Sequence, residues 1–464
     1  PAVTKKVAPK KVAPKKTVVK KTIAKKAPVK KTVGTGWINQ TKKELFRDNE
    51  AFCVLPWIHL HTTPTGQAAP CCISNSCADN IGVGNSNTDS LEEIVNSPKM
   101  KRLRIDMLKG IKNEECTNCH RHDEKGVPSA RQDFNKTWAA LPDIMDIINN
   151  TEKDGEVKEF KMKYFDIRFS NICNFKCRTC GSAFSSLWEA EDLKSKELTN
   201  VPDYAMEIEK GNSKEFLRSV LQQVPNFEVA YFAGGEPLIT DEHYILLNHM
   251  IETGNTDIQL RYNSNISNFK YKKQDIFKLW HHFSKPISIY ASIDHMGDRA
   301  EYIRHGTKWN TIEANIKKLR RYKKRIDLQV NTVYSIFNAL TLSHFYKYMI
   351  DKHYYTPKSN VWTLYCMDSP SHLACHALPL EFKLQAKQQL ELTIKYMEDL
   401  HFREEQIDEI RRCMKWLMSS NTWEDHKQEF RKEIARLDRL RDEDFCKTFP
   451  EIQFLYKVDE KIKP

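Results

Sequence analysis

The chain has 464 residues, of which 40% are hydrophobic and 29% charged, and it carries 13 cysteines. That is long enough for two or three domains with real cores, and no apolar stretch approaches the roughly 20 residues of a membrane span, which excludes a membrane-spanning helical protein. The net charge of +12 belongs to the N-terminus alone. Twelve lysines and no acidic residue precede Gly34, and removing them leaves 61 basic against 61 acidic residues. The sequence opens without the apolar segment of a secretory signal, and Pro1 is what remains when an initiator Met is removed, so a cytoplasmic protein is expected. In that reducing setting, tightly grouped cysteines favour metal ligation over disulfides.

In chain order, residues 1–36 form a Lys/Ala/Pro repeat with Lys-Lys pairs every five residues from Lys5 to Lys30. So little large apolar surface predicts a disordered arm. It resembles the tails of linker histones, which implies non-specific nucleic-acid contact through residues 1–33; a solubilising tail is the plainer alternative. Residues 37–150 are organised by cysteines rather than by long periodic elements. Cys53 is followed by twelve residues, Gly66, four more and Cys71, and Cys116-Thr117-Asn118-Cys119 closes the set. Gly66 to Cys72 suits a tight hairpin return that brings Cys71 back near Cys53. Leu91 to Leu108 reads as helical. Four thiolates in a loop-rich segment fit a zinc site or an iron-sulfur cluster equally.

From residue 160 to 370 the pattern alternates. Strands are expected at 164–170, 228–233, 258–263, 287–293, 327–333 and 361–365, separated by helices that include 241–252, 274–283, 311–323 and 340–351. Six βα repeats imply parallel strands wound right-handedly into a barrel or part of one, with the active site at the C-terminal strand ends. The motifs fall there. Cys173-Asn174-Phe175-Lys176-Cys177-Arg178-Thr179-Cys180 follows the first strand, Gly234-Gly235-Glu236-Pro237 ends the second, and Asn263 to Asn265 ends the third; Ser292 and Asp294 end the fourth. Three cysteines leave a four-iron cluster one protein ligand short, so one iron can take a small molecule. Residues 371–464 read as a charged helical extension with Leu390, Ile394, Met397 and Leu400 on one face, expected to pack on the barrel or close over its mouth.

CxxxCxxC after the first strand with Gly-Gly-Glu-Pro after the second resembles the radical S-adenosylmethionine superfamily, over roughly residues 160–366. The resemblance implies an α/β fold, a partial (β/α)6 TIM-type barrel, with Cys173, Cys177 and Cys180 holding a [4Fe-4S] cluster whose open iron is chelated by S-adenosylmethionine. Reductive cleavage then gives a 5′-deoxyadenosyl radical that takes hydrogen from a substrate. It also implies that Gly234 and Gly235 admit the methionine moiety, that Glu236 of the Gly234–Pro237 turn meets its ammonium, that Ser264, Asn265, Ser292 and Asp294 surround ribose and carboxylate, and that Arg304 pairs with the carboxylate. The family usually has an aromatic residue before the third cysteine. This chain has Thr179, so the adenine contact is expected from Phe175 or the Gly181 backbone.

The N-terminal cysteines are similar to the SPASM and twitch extensions of such enzymes, here placed ahead of the barrel, and residues 37–150 fit the shorter twitch form better because only one set of four is present. The resemblance implies one auxiliary [4Fe-4S] cluster on Cys53, Cys71, Cys116 and Cys119 that relays electrons, with Cys72 a close and Cys77 a weaker competitor for the Cys71 place. His59, His61, His120 and His122 are read as neighbours of the metal site or as surface groups. Cys366 and Cys375 lie near the expected barrel mouth, where a thiol can donate hydrogen to a substrate radical, or are ordinary small thiols; Cys413 and Cys446 read as structural. The partners implied are an electron donor such as flavodoxin or ferredoxin and a peptide, protein side chain or small metabolite as substrate. Two other readings use the tail: a nucleic-acid-modifying radical enzyme, or a non-catalytic metal-binding protein anchored to DNA.

Overall fold

The computed structural model describes residues 36–78, 82–126, 128–195 and 213–457. The basic repeat lies outside the described residues. The molecule is mixed α/β, built on one large and mainly parallel sheet with many helices. Its strands are β1 (His59–Thr62), β2 (Gln67–Ala69), β3 (Gly84–Asn85), β4 (Tyr164–Asp166), β6 (Val229–Phe232), β7 (Gln259–Ser264), β8 (Ile287–Ser292), β10 (Ile326–Tyr334) and β11 (Thr363–Cys366). Two short strands, β5 (Lys176–Cys177) and β9 (Arg304–His305), pair antiparallel outside that sheet.

All six expected strands are present and lie in sequence order, β4-β6-β7-β8-β10-β11, each parallel to the next. Their burial explains the sequence pattern. One face of β7 alternates Leu260, Tyr262 and Ser264 into the core, while Arg261 and Asn263 stay half-buried on the other. Between strands run α5 (Asp241–Glu252), α7 (Trp309–Arg321) and α8 (Leu342–Asp351). The 274–283 stretch gives only a short helix, Ile276–Trp280, because Gln274 and Asp275 are taken into a two-stranded turn.

Three departures bear on function. The first expected strand stops at Asp166, where its pairing with β1 ends at His61↔Asp166 after that with β6 has ended at Phe165↔Ala230, and residues 167–180 follow as a loop that carries β5. The cysteine-rich segment adds its own strands to the same sheet. β1 pairs parallel with β4 in the register His59↔Tyr164, and β2 returns antiparallel across a turn with Gly66 at φ +89°. The 91–108 helix is divided into Leu91–Val95 and α1 (Pro98–Leu108), since Pro98 has no N–H to continue a helix and opens the next one behind the cap of Ser97.

The C-terminal residues form α9 (Leu380–Asp399), α10 (Glu404–Leu417) and α11 (Trp423–Arg441). α10 docks on β11 through Glu409, which accepts from the Leu364 N–H at 3.0 Å, and Arg412, which donates to its carbonyl at 2.6 Å. α11 reaches the loop after β4, described next.

Candidate functional site

The loop 167–180 is positioned by groups far away in sequence. Arg178, fully buried, donates to Asp438 at 2.5 Å and to Glu443 at 2.6 Å, and its guanidinium lies 3.7 Å over the Tyr302 ring. The neighbouring Lys176 pairs with Glu191, which Arg441 holds at 2.7 Å. Burial works to raise the Glu443 and Glu191 carboxyls, but the facing cations hold both below the ordinary range. The Trp188 indole N–H donates to the Cys177 carbonyl at 2.7 Å, and the Ser185 hydroxyl donates to the Phe175 carbonyl at 2.7 Å.

So held, Cys173, Cys177 and Cys180 line one cavity of about 260 Å³ together with Gly234, Gly235, Glu236, Ser264, Asn265, Ser292 and Arg304. Asp294 stands behind it through Arg304. Cys180 is exposed and the other two thiols are half-buried. Burial pushes the Cys177 thiol up to about 12, with Arg304 working against it and Cys180 and Asp294 adding to it.

The roles of the strand-end residues differ from those the resemblance implies. A Cβ on Gly235 would stand 2.1 Å from the Ile172 carbonyl, so this glycine admits the cysteine loop itself; the adjacent Glu236 N–H donates to that carbonyl at 2.8 Å. The Glu236 carboxylate is fully engaged, accepting from Ser264 at 2.8 Å, Leu238 N–H at 3.1 Å and Asn265 N–H at 2.7 Å, and burial pushes its pKa up to about 7 despite these donors. Asn265 in turn donates to Asn174 at 2.9 Å, tying the third strand end to the cysteine loop. Arg304 is committed to Asp294 at 3.0 Å. Ser292 is left as a strand-end hydroxyl on the wall, and Pro237 opens the turn Pro237–Ile239.

The wall also includes Arg168 and Phe184, which sequence reasoning missed. Arg168 had a signal: Asp166 and Arg168 alternate through an otherwise apolar strand and its exit. Four buried polar atoms here make no hydrogen bond of good geometry: Ser170 Oγ, Arg168 Nε, which faces Asp166 at 3.5 Å, and the ion-paired Arg304 Nε and Asp294 Oδ2. The last two lie 2.8 Å apart.

The N-terminal cysteines are brought together by local contacts. Arg131 and Asn135 donate to the Phe52 carbonyl at 3.0 and 2.8 Å, and Ser76 donates to Glu115 through both its N–H and hydroxyl, at 2.9 and 2.6 Å. Burial raises Cys71, with Cys72, Cys53 and Cys116 adding to it; burial likewise raises Cys53 to about 12, with Cys119 adding. The charges of Cys53 and Cys116 reach Cys71, and that of Cys119 reaches Cys53, which puts the four thiols in one region of the molecule. Cys72 faces elsewhere, toward Asp166, Arg168 and Cys77, and burial pushes it up to about 11. The His61 Nδ1–H donates to Asp166 at 2.7 Å, and His59 donates to the Tyr164 carbonyl at 3.0 Å. His120 is buried with both ring nitrogens unpartnered, while His122 lies on the last turn of α2 (Thr117–Glu124). Cys366 turns away from the cavity toward α10, its sulfur 3.3 Å from that of Cys413, and Cys375 is buried. Cys446 is half-buried on Phe445–Thr448.

Among the described residues, no three His, Cys, Asp or Glu side chains are arranged to hold a single metal ion. Thiolates around a cluster ligate different irons and need not converge on one point.

Residues 53–120 match SPASM, described as an iron-sulfur cluster-binding domain. That segment is thus similar to an iron-sulfur cluster-binding domain. With CxxxCxxC and Gly-Gly-Glu-Pro on consecutive strand ends, the match supports the recognition made from sequence, a radical S-adenosylmethionine protein carrying a SPASM segment. Among solved structures, the chain is similar to "Native anSMEcpe with bound AdoMet" (17% identity over 50% of this chain and 59% of that one, TM-score 0.34). It is also similar to SuiB of Streptococcus suis (13%, 66% and 64%, 0.31) and to TYW1 with a lysine-pyruvate adduct bound (13%, 51% and 71%, 0.25). The chain thus spans about 59% of the length of the first of these. No curated protein matches. Among the described residues, no helix is long and apolar enough to cross a membrane.

Proposed function

We propose that this chain is a radical S-adenosylmethionine enzyme, with a [4Fe-4S] cluster on Cys173, Cys177 and Cys180 and an auxiliary [4Fe-4S] cluster on Cys53, Cys71, Cys116 and Cys119. The observation that carries the reading is that the three thiols of CxxxCxxC share one cavity with Gly234, Gly235 and the strand-end residues. The residues fit the group: three thiols that line one cavity suit iron and leave one ligand place open. Bound there, the reduced cluster with S-adenosylmethionine supplies a 5′-deoxyadenosyl radical, the hydrogen-abstracting agent.

The chain's own residues do the positioning. Gly235 and Asn265 seat the cysteine loop on the strand ends, and Arg178 and Lys176 clamp its far side to α11. Arg168, whose charged neighbour within 4 Å among the described residues is Asp166, at the longer distance of 3.5 Å, takes the carboxylate role that Arg304 is not free to fill. Phe184, on the cavity wall and 38% exposed, offers the aromatic face that Thr179 does not. The parallel strands form a partial (β/α)6 barrel, with the substrate space at the C-terminal strand ends beside the cysteine loop. A peptide or protein side chain, or a small metabolite, is the substrate, and a flavodoxin or ferredoxin is the electron donor.

Anaerobic reconstitution followed by reduction with S-adenosylmethionine is expected to release 5′-deoxyadenosine. Its absence at full iron loading rejects the enzyme. Changing Cys173, Cys177 and Cys180 to Ala is expected to remove one cluster's iron and all cleavage, and changing Cys53, Cys116 and Cys119 the other cluster's iron. Zinc in the second site rejects the auxiliary cluster.

A further inference from the structure

Arg304 faces Cys177 for reasons laid down in the backbone. The two residues are register partners in the β5/β9 pair, and the Arg178 N–H locks that pairing by donating to the Ile303 carbonyl at 2.7 Å. With Nη2 on Asp294 Oδ1 at 3.0 Å, Arg304 turns Nη1 to the Cys177 sulfur, 3.8 Å away, a distance at which sulfur still accepts a hydrogen bond. Asp294 is 1% exposed and fixed in its turn, since Oδ1 accepts from the Val333 N–H at 2.8 Å and its carbonyl accepts from Asn338 at 3.1 Å. The two charges act on Cys177 with opposite sign, the guanidinium favouring its thiolate and the carboxylate opposing it. An ion pair that served packing alone has no need to aim its spare N–H at a ligand sulfur.

Resting on the cluster reading above, we infer that Arg304 and Asp294 are positioning residues that set the reduction potential of the cluster ligated by Cys177. Reduction adds one electron from a low-potential one-electron donor and makes or breaks no bond in the protein. A cationic N–H on a ligand sulfur stabilises the more negative reduced state, and hydrogen bonds to the sulfurs and local charge are the protein's levers on such potentials. Asp294 does two opposed things: it orients Arg304 and partly cancels its charge. The pair therefore sets an intermediate potential, above that of an unassisted thiolate site and below that of an unopposed arginine.

The test is a dithionite titration of the reconstituted full-length protein followed by electron paramagnetic resonance. The signal that changes shape on adding S-adenosylmethionine belongs to the cluster on Cys177, which separates it from the auxiliary one. R304M is expected to lower the midpoint by at least a tenfold change in the oxidised-to-reduced ratio at fixed potential, ~59 mV for a one-electron couple. R304Q keeps an N–H donor and is expected to fall less, R304K keeps the charge and stays nearest wild type, and D294N moves the midpoint the other way. A wild-type midpoint in any cluster-loaded R304M or R304Q preparation overturns the inference, as does a shift of R304M and D294N in the same direction. If the wild-type protein shows no signal that responds to S-adenosylmethionine, it is the radical-enzyme reading that fails, and the two failures are told apart.

Discussion

The two cysteine sets are built in opposite ways. Cys53, Cys71, Cys116 and Cys119 are gathered by segments within about one SPASM length of each other, with Cys53 and Cys119 buried. Cys173, Cys177 and Cys180 sit on an open cavity, Cys180 exposed, and are clamped by Asp438 and Glu443, 260 and 265 residues along from Arg178. A closed set made by local contacts suits a group that only passes electrons. An open set needs rigidity from elsewhere, because its own loop must leave room for a ligand; α11 supplies it from behind.

That contrast is broken or sharpened by variants that touch one set alone. The largest effect is expected from Gly235→Ala, whose Cβ has no place beside the Ile172 carbonyl. It should lose the iron of the open set and all S-adenosylmethionine cleavage while keeping the iron of the closed set, as read by iron and sulfide analysis. Next is Arg178→Met, which leaves two carboxylates facing an apolar side chain and is expected to cost about 3 kcal/mol in denaturant unfolding, again with the closed set loaded. Its counterpart, Arg131→Met, removes one of the two donors to the Phe52 carbonyl and the partner of Asp123, and is expected to cost about 2 kcal/mol and empty the closed set first. Loss of both sets in each variant would abolish the distinction.

A smaller effect follows pH. Glu191 and Glu443 titrate below the ordinary 4.5 in the folded chain. The stability they give is therefore complete above that value and is lost as pH falls below it through their lower folded-state values. Thermal unfolding followed by circular dichroism should show Tm falling over roughly pH 5 to 3, and falling less in Arg178→Met. The smallest effect is expected from Cys366→Ser: a thiol turned toward Cys413 and away from the cavity should leave 5′-deoxyadenosine formation unchanged.

Much of this was legible in sequence where it depends on short spacing. Six parallel strands in order, both motifs on neighbouring strand ends, the Gly66 return and the Cys53 to Cys119 grouping all follow from local pattern. What was not legible is long-range. His59-Leu60-His61-Thr62 carries no apolar alternation, because its polar side chains are themselves buried against β4, so it does not read as a strand. Arg178 sits between two cysteines and gives no hint of a helix 260 residues on. Gly235 reads as a cofactor glycine until the Ile172 carbonyl is seen beside it.

The β1–β4 pairing has a practical consequence. A fragment cut to begin near residue 160 would strip β4 of its partner and leave Tyr164, Phe165 and Asp166 as a bare sheet edge, with Phe165 and its neighbours behind it. Such an edge is a template for pairing with another chain. The two halves of this protein are therefore poor candidates for separate expression: the isolated C-terminal half is expected to aggregate.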